Sequence, residues 1–310
     1  MKPTISVVVL CYNREDIIGR NLETLCDCAA HHGTLMEIIV VDNKSSDRTR
    51  DIAEEYAQRY PNIKVIANPG NFGVAKGRNT GMRVAQGDFV LVMDDDAIFK
   101  ADQLRLFAEK LAASGNAGII CPRVINMPSG LDQCPPLVDV RLYGNFQGPC
   151  AAFRRELFAK IGYLDEECTF GGEEIDYSIR CHDAGYDIVY LGEVEVEHWG
   201  RERGVVESLG RREKWIYNYT RVLFKHFRSR SALLFSTRYS LSLIISSVRS
   251  LGFACIWRLV KSALAGASAG LGSRHLVGIE TERFYRNKKI RPEYGNIPLT
   301  QKFLAKLRIV

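Results

Sequence analysis

Short apolar runs separated by amphipathic segments constrain the fold of this chain more than any other feature of its sequence. Each run is too short for a helix and nearly unbroken, which is typical of strands buried on both faces of a parallel sheet. The segments between the runs have helical spacing, and glycines 33, 87 and 115 are placed as stop signals. This alternation predicts a three-layer α/β/α sandwich with a mostly parallel sheet. The runs are Ile5–Leu10, Ile38–Val41, Val65–Ala67, Phe89–Met93 and Gly118–Pro122, and the predicted helices are Asp16–His31, Asp47–Tyr60, Val74–Ala85 and Asp102–Ser114.

Charge is divided unevenly along the 310 residues. Residues 1–200 carry a net charge of −10 and residues 201–310 a net charge of +16, so the total of +6 hides two different halves. A basic block of this size indicates an anionic partner, either a membrane surface or a nucleic acid, and its aliphatic content disfavours nucleic acid. We therefore expect a first domain at residues 1–204 and a basic, largely helical region at 205–310.

The basic region interleaves cations with apolar and aromatic residues. Within its apolar part, Ala232–Leu264, the longest charge-free stretch is Tyr239–Val248, with ten residues. This is well short of the roughly 20 that span a bilayer, so a transmembrane helix is not expected. Basic amphipathic helices with aromatic residues lie in the interface of anionic membranes. We expect membrane docking through residues of about 211–264; the alternative is a helix that packs on the main domain or in a dimer contact.

The cysteines and the N-terminus indicate a cytoplasmic protein. Nine cysteines form an odd set without a CxxC pair, at positions 11, 26, 28, 121, 134, 150, 168, 181 and 255. Several lie in apolar runs, which is typical of reduced, buried thiols. The first residues lead directly into a short strand-like run, so no signal peptide is expected.

Three consecutive aspartates, Asp94, Asp95 and Asp96, follow the fourth apolar run directly. Adjacent carboxylates repel one another unless a cation neutralises them, and Mg²⁺ or Mn²⁺ commonly bridges carboxylates to substrate phosphates. The alternative is an acidic turn before the next helix, for which Asp102 is the better N-cap candidate. Because open α/β sheets bind ligands beyond the carboxyl ends of their strands, the position favours a metal site.

Other segments supply further candidate residues. Asn71–Gly81 offers glycines for close backbone approach, with Lys76 and Arg78 available to meet an anion. Phe170–Asp176 opens a predicted helix that ends at position 185. The helix dipole accounts for part of its acidic character, but a carboxylate beside a bound nucleotide can also act as a general base. His198 is either a structural histidine or an additional metal ligand.

Together these motifs resemble the family 2 glycosyltransferases, whose nucleotide-sugar-binding fold is called GT-A. The resemblance covers about residues 4–200, and its 148–200 part is most similar to a rhamnosyltransferase-like branch that builds bacterial surface polysaccharides. A single departure stands out, since the family's Glu-Asp pair is Glu-Glu here. The ordered series is Ser6–Arg14, Ile39–Asp47, Asn71–Gly81, Asp94–Asp96, Gly148–Arg155, Gly162–Glu166, Gly172–Asp176 and His198.

The resemblance implies roles for individual residues. Asp42 is expected at the nucleobase, Arg78 and Asn79 at the diphosphate or at neighbouring backbone, and Glu174 as the base, with Glu173 as the alternative. The implied nucleotide-sugar pocket contains Cys11, Tyr12, Asn13, Asp42, Asn71, Arg78, Asn79, Asp94 and Asp95. The implied metal ligands are Asp96, His198 and Asp94, and the acceptor side is expected at Gln147, Gly148, Cys150 and Asp176.

The implied activity is an inverting transfer with Mg²⁺ or Mn²⁺ as cofactor. The expected donor is a sugar on uridine or thymidine diphosphate, and the expected acceptor is a glycan or a lipid-linked acceptor at the cytoplasmic face of a membrane, in the synthesis of a cell-surface polysaccharide or glycolipid. Two alternatives stay open: a noncatalytic protein that binds nucleotide-sugars or polyanions, and a nucleotidyltransferase on a related fold. The loop Cys11–Arg14 lacks the glycine-rich basic signature expected of a nucleotidyltransferase.

Overall fold

The computed structural model describes residues 3–32, 35–127, 129–133, 139, 143–200 and 205–286. Within these residues nine strands form one mixed sheet, in the order β3-β2-β1-β4-β8-β6-β9-β5, with β7 paired to β6. Six of them run in one direction, and β5, β7 and β8 run against it. The strands are β1 Ile5–Cys11, β2 Leu35–Asp42, β3 Ile63–Ala67, β4 Phe89–Asp94, β5 Ala97–Ile98, β6 Ala117–Asn126, β7 Leu131–Asp132, β8 Cys150–Arg154 and β9 Asp187–His198.

The central strands are buried on both faces, as their apolar runs predict. Along β1, Val8 belongs to the core on one side of the sheet, whereas Val7 and Val9 belong to the core on the other side. Successive side chains of a strand point to opposite faces, so a strand covered on both sides must be apolar throughout. The mostly parallel three-layer sandwich is therefore confirmed.

Strand β3 differs from the prediction of a fully buried strand. Ile63 is buried, but Lys64 and Ala67 are exposed and Val65 is partly exposed. The reason is position, because β3 pairs only with β2 and forms the edge of the sheet.

Helices cover both faces of the sheet at the predicted places, but two details were wrong. Lys100, not Asp102, precedes α4 as its N-cap, and Asp102 lies in the first turn. Gly87 does not stop α3, because this helix already ends at Met82. The absence of a side chain at Gly87 instead allows the backbone of β1 to approach closely at Ser6. Gly115 has φ +58 after α4, as a stop signal should, and Gly33 lies outside the described residues. The helices of the sandwich are α1 Ile18–His32, α2 Thr49–Arg59, α3 Gly73–Met82, α4 Ala101–Ala112, α5 Glu156–Ile161 and α6 Glu173–Asp183.

The described cysteines are all free and buried, in line with the expectation of reduced thiols. Burial, aided by the charge of Asp27, raises the pKa of Cys26 and of Cys28 to about 11, so both are protonated at neutral pH. Cys134 lies outside the described residues.

Within residues 205–286 four helices follow the sandwich, and the first shares its core. Val222 and Leu223 of α7, and Phe227 directly after it, belong to the same apolar cluster as Val8 of β1. Tyr285 of α10 also joins this cluster and donates a hydrogen bond to the Gly144 carbonyl (2.8 Å). The four helices are α7 Val205–His226, α8 Ser229–Leu251, α9 Cys255–Gly272 and α10 Ile279–Arg286.

Helices α8 and α9 form a hairpin on the outer side of α7. Gly266 and Gly270 of α9 lie directly against backbone carbonyls of α7, where a Cβ atom has no room. By length and composition α8 could cross a membrane, a criterion that core helices of soluble proteins also meet. A transmembrane helix was not expected because the charge-free stretch alone is ten residues long, whereas the whole helix α8 has 23 residues.

Candidate active site

The register of the sheet brings the predicted polar loops to one edge. Cys11 at the end of β1 pairs with Asp42 at the end of β2, and Leu10 pairs with Asp94 at the end of β4. Because these strands are parallel, the segments that follow them leave the sheet side by side. Most of the predicted site residues therefore lie around one strand-end crevice.

Asp94, Asp96 and His198 form a group that fits a divalent metal ion. Each offers a ligand atom, and these atoms all lie within 4.8 Å of one another. Asp96 Oδ1 is 3.3 Å from His198 Nε2, and the amide of Trp199 donates to the Asp96 carbonyl (2.9 Å). Two carboxylates and one imidazole are suitable ligands for Mn²⁺, and carboxylates also suit Mg²⁺.

The imidazole of His198 interacts directly with the carboxylate of Asp96. Burial alone would lower the pKa of His198, but the hydrogen bond and the charge of Asp96 outweigh it and raise that pKa. For Asp96 burial again opposes the charged form, and the contact with His198 outweighs it and lowers the pKa. The raised pKa of His198 and the lowered pKa of Asp96 both favour an oppositely charged pair, and a metal cation would take the place of the imidazolium proton between them.

Arg14 neutralises the aspartates from the β1 side. Its guanidinium is buried, 2.7 Å from Asp96 Oδ2 and 3.4 Å from Asp95 Oδ1, and it also donates to the Trp199 carbonyl. Asp95 accepts a further bond from the Tyr12 amide (3.2 Å) and lies outside the metal-binding group. Burial and the charge of Asp96 raise the pKa of Asp95 well above its usual range. Sequence reasoning did not assign Arg14 a role, although a cation in a strand-end loop near three aspartates was a usable signal.

Arg78 connects the metal-binding group to the predicted base. Its side chain is 2% exposed; one nitrogen contacts Asp94 Oδ1 (2.6 Å) and donates to the Gly148 carbonyl (2.8 Å). Another nitrogen is 3.5 Å from Glu173 Oε1. The guanidinium therefore makes its contacts with protein groups. Its positive charge affects the crevice through its contact with Asp94.

Asn79 serves neighbouring backbone rather than the crevice. It is fully buried, its amide nitrogen donates to the Leu164 carbonyl (2.9 Å), and its oxygen accepts from the Leu164 amide (3.1 Å). Of the two expectations for this residue, diphosphate or neighbouring backbone, the structure places it at the second.

Glu173 and Glu174 begin α6, but their surroundings differ. Glu173 is 2% exposed, and burial together with the Glu174 charge raises its pKa to about 8. Glu174 is partly exposed, and burial raises its pKa against the opposing charge of Arg78. A Cβ atom at Gly148 would lie 2.6 Å from Glu174 Oε1, so a side chain at that position would displace the carboxylate.

Helix α7 supports the two glycines that precede these glutamates. Gly171 and Gly172 have φ values of +71 and +94, and a Cβ atom on either would meet a side chain of α7, Trp215 or Asn218. Asn218 donates to the Phe170 carbonyl (3.1 Å), and Trp215 stacks on the Phe170 ring. Sequence reasoning missed both α7 residues, because nothing in a local motif shows that a helix 40 residues later packs under this turn.

The predicted nucleotide residues of the first two loops lie at the mouth of the crevice. Tyr12 is exposed, and Asn13, with φ +54, accepts a hydrogen bond from the Ser46 amide. Both carboxylate oxygens of Asp42 lie 3.2 Å from the Ser45 amide, which shapes the loop after β2. Asn71 is exposed and accepts hydrogen bonds from Gly73 and Asn43, whereas Cys11 is fully buried beneath these loops.

The predicted acceptor residues separate into two groups. Gln147 and Gly148 border Arg78 and Glu174, and Gln147 Oε1 is buried without a hydrogen-bond partner among the described residues. Cys150 is fully buried in the sheet.

Asp176 was assigned to the acceptor wrongly, because its carboxylate is fully buried in an ion network. His226 donates to it (2.7 Å), and Arg180 and Lys225 contact it as well. Burial opposes its ionisation, but the His226 hydrogen bond and the nearby cations outweigh it and hold the pKa of Asp176 far below its usual range. This residue fastens α6 to α7.

Comparison with known proteins agrees with this geometry. A model described as glycosyl transferase family 2 matches residues 6–133, and one described as glycosyl transferase family group 2 matches residues 141–270. The Bacillus subtilis protein named "Probable glycosyltransferase YdaM" is 28% identical over 221 residues, covering 64% of this chain and 52% of that protein. The Bacillus spizizenii poly(ribitol-phosphate) beta-glucosyltransferase is 35% identical over 101 residues, covering 32% of this chain and 16% of that protein. The chain thus spans about half the length of the first of these relatives, and less of the second.

Among solved structures, the mannosyltransferase PcManGT from Pyrobaculum calidifontis, in complex with GDP-Man and Mn²⁺, has a similar fold. The TM-score is 0.60 at 18% identity, covering 95% of this chain and 84% of that one. The sheet, its flanking helices and its strand-end crevice are those of a GT-A protein. Matches to both glycosyltransferase models and to relatives named as glycosyltransferases identify the chain as a family 2 glycosyltransferase.

Proposed function

We propose that this protein is an inverting glycosyltransferase that moves a sugar from a nucleoside diphosphate to an acceptor hydroxyl. The observation that carries the proposal is the arrangement of Asp94, Asp96 and His198 at one strand-end edge, with Arg78 joining Asp94 to the glutamates of α6. Such a site can hold a diphosphate on one side and activate a hydroxyl on the other. The resemblance favours uridine or thymidine diphosphate as the nucleotide.

Asp94, Asp96 and His198 would hold the divalent metal. An imidazole ligand favours Mn²⁺ over Mg²⁺, which keeps oxygen ligands and several waters. When bound, the ion supplies positive charge against the diphosphate as it departs. Mn²⁺ is also the ion in the PcManGT structure.

Glu174 is the proposed base, in preference to Glu173. A general base must reach the proton that it removes, and Glu174 is partly exposed beside Gly148 whereas Glu173 is buried against Arg78. Its pKa is raised by burial, which strengthens it as a proton acceptor. The acceptor hydroxyl gives its proton to Glu174 and attacks the anomeric carbon opposite the leaving diphosphate. A single displacement of this kind inverts the configuration at that carbon.

The proposed acceptor is a glycan or lipid-linked glycan of bacterial surface polysaccharide synthesis. The relative from Bacillus spizizenii is named for glucosylating poly(ribitol-phosphate), a polymeric acceptor, which supports this class. The family group 2 match extends to residue 270 and so includes the α8–α9 hairpin. We therefore treat the hairpin as part of the functional unit.

The hairpin supplies the proposed peripheral contact with the cytoplasmic face of an anionic membrane. Apolar side chains are exposed along it, with Phe253 79% and Trp257 72% exposed where the two helices meet. Arg249 and Lys261 lie on the same two helices. Exposed aromatic residues near cations are the composition of an interfacial membrane contact. Within residues 211–264 we assign this contact to α8 and α9, because Arg221 and Val222 of α7 are buried.

Glu174→Gln tests the catalytic proposal. We expect the rate at which the protein transfers or hydrolyses the sugar of a nucleotide-sugar donor to fall by about 10²–10⁴-fold, the usual contribution of a general base. Mn²⁺ and nucleotide affinity should stay within about twofold, since Gln keeps the size and polarity of the side chain. Glu173→Gln, the matched variant one residue away, should retain most of the turnover.

Other outcomes would contradict the proposed base or indicate a different class of protein. Equal turnover by Glu174→Gln and the unmodified chain would reject this base. Nucleotide-sugar binding by the unmodified chain without any turnover, across a panel of acceptors with Mn²⁺, would favour a noncatalytic binding protein. Release of pyrophosphate from a nucleoside triphosphate would instead indicate a nucleotidyltransferase.

A further inference from the structure

Asn126 lies directly beside His198 on the side away from the aspartates. It is the last residue of β6, and the register pairs it with His198, the last residue of β9. Its side-chain oxygen is 3.2 Å from His198 Nδ1, and the Met127 amide donates to the His198 carbonyl (2.8 Å). Both the backbone and the ring of the histidine are thus held by the end of β6.

This contact determines which ring nitrogen can bind a metal. An amide oxygen only accepts hydrogen bonds, so Nδ1 of His198 must carry a hydrogen and donate it to Asn126. The other nitrogen, Nε2, then points at Asp96 Oδ1 from 3.3 Å. Only a ring nitrogen that can lose its proton offers a lone pair to a metal, and here that nitrogen is Nε2.

We propose that Asn126 is a positioning residue of the metal centre, which fixes the tautomer and the rotation of the His198 ring. The inference rests on the proposed function, because it requires Asp94, Asp96 and His198 to bind a divalent metal. Hydrogen-bond partners of this kind raise the affinity of histidine ligands for metals, and their loss typically costs 10–100-fold.

The side chain of Asn126 can be changed without removing the structural role of its backbone. The Asn126 carbonyl accepts hydrogen bonds from the Gly130 amide and the Ser129 hydroxyl, which form the turn after β6. These bonds and the strand pairing do not involve the amide side chain. Asn116, next to the opposite end of β6, is a matched control, because its side chain donates to the Gly185 carbonyl far along the strand from the site.

Calorimetric titration with Mn²⁺ alone, in the absence of any nucleotide, tests the proposal on the full chain. Asn126→Ala should bind Mn²⁺ 10–100-fold more weakly than the unmodified chain. Asn126→Asp should restore the affinity, because a carboxylate also accepts from Nδ1, and Asn116→Ala should leave it unchanged. In metal-free protein at a pH where the His198 ring is neutral, ¹⁵N resonances of that ring should report a protonated Nδ1 in the unmodified chain and a shift towards protonated Nε2 in Asn126→Ala.

The possible results distinguish a failure of the Asn126 role from a failure of the proposed metal centre. Mn²⁺ affinity of Asn126→Ala within twofold of the unmodified chain would overturn the role of Asn126 and leave the metal centre standing. No Mn²⁺ binding by the unmodified chain would overturn the metal centre and this inference together. Weak binding by Asn126→Ala that Asn126→Asp does not rescue would also count against it, since it indicates a folding defect instead of a lost acceptor.

Discussion

The buried arginines give the active site its electrostatic balance. Asp94, Asp95 and Asp96 share one strand end, where Arg14 contacts Asp95 and Asp96 and Arg78 contacts Asp94. A buried carboxylate without a partner is costly, so the two guanidiniums allow the aspartates to keep their positions before a metal arrives. Each arginine contacts only one oxygen of its metal-ligating aspartate: Arg78 contacts Asp94 Oδ1, and Arg14 contacts Asp96 Oδ2, whose partner oxygen Oδ1 faces His198.

Arg78→Met is predicted to destabilise the fold strongly. Removing this buried cation leaves the partly exposed Asp94 and the buried Glu173 without their shared partner, and breaking a buried ion pair costs about 3–5 kcal/mol. Urea unfolding measures the loss. Arg83→Met is the control, because the Arg83–Glu166 pair is substantially exposed and such pairs contribute about 0–1 kcal/mol. Equal destabilisation by the two variants would refute the bridging role of Arg78.

Individual site residues were predictable to the extent that they follow a strand. Asp94 and Asp96 come directly after a buried run, and a parallel sheet fixes where such residues lie. Asp176 was placed wrongly for the opposite reason: it is on a helix, and its partners Lys225 and His226 come from a distant segment that no local pattern connects to it.

At the level of elements, periodicity predicted the layers of the sandwich, but not its edges. Both the interior strand β1 and the edge strand β3 appear in the sequence as short apolar runs, and only the pairing order shows that β3 has a single neighbour. The antiparallel insertion of β8 between β4 and β6 was also not predicted. Non-local pairing of this kind depends on contacts across the chain, which a single sequence does not display.

The turn before α6 is the element on which the base depends. Gly172 precedes the helix with φ +94, and the side chain of Asn218 fills the space where its Cβ atom would lie. A residue with a side chain at this position must therefore change its backbone conformation and displace α7 as well.

Gly172→Ala is predicted to lower turnover at least tenfold and to destabilise the fold by about 1–3 kcal/mol, through strain at φ > 0 plus the contact with α7. Gly185→Ala separates the two causes, since Gly185 has φ +82 but nothing within 4 Å of an added Cβ. Gly185→Ala should lower the free energy of unfolding only by the backbone strain, about 1–2 kcal/mol, and should leave turnover unchanged. Initial rates and urea midpoints of both variants check this, and unchanged turnover in Gly172→Ala would disprove the dependence of Glu174 on this turn.

At the scale of the whole molecule, the charge division does not coincide with a simple structural division. The sequence predicts a boundary at residue 204, and this boundary stays a prediction. Helix α7 nevertheless packs into the core of the sandwich, and its Arg221 pairs with Asp165 and Glu167 there. Part of the positive charge therefore balances the acidic first half, and the remainder is available on the outer helices.

Because α7 and α10 complete the core, removing everything after residue 204 would expose apolar surface and could not test membrane binding cleanly. Point changes on the hairpin are the sharper test. Phe253 and Trp257 are mostly exposed, so replacing them should leave the fold intact.

Phe253→Ser combined with Trp257→Ser is predicted to weaken binding to vesicles of anionic phospholipid by at least tenfold, since burying one large apolar side chain contributes about 1.5–3 kcal/mol. Vesicle co-sedimentation measures the affinity, and turnover with a soluble acceptor should be unchanged because both residues lie outside the crevice. Val84→Ser, which alters an exposed apolar residue just after α3, is the control and should bind as the unmodified chain does. Undiminished binding by the double variant would show that the exposed aromatic residues of the hairpin are not the membrane contact.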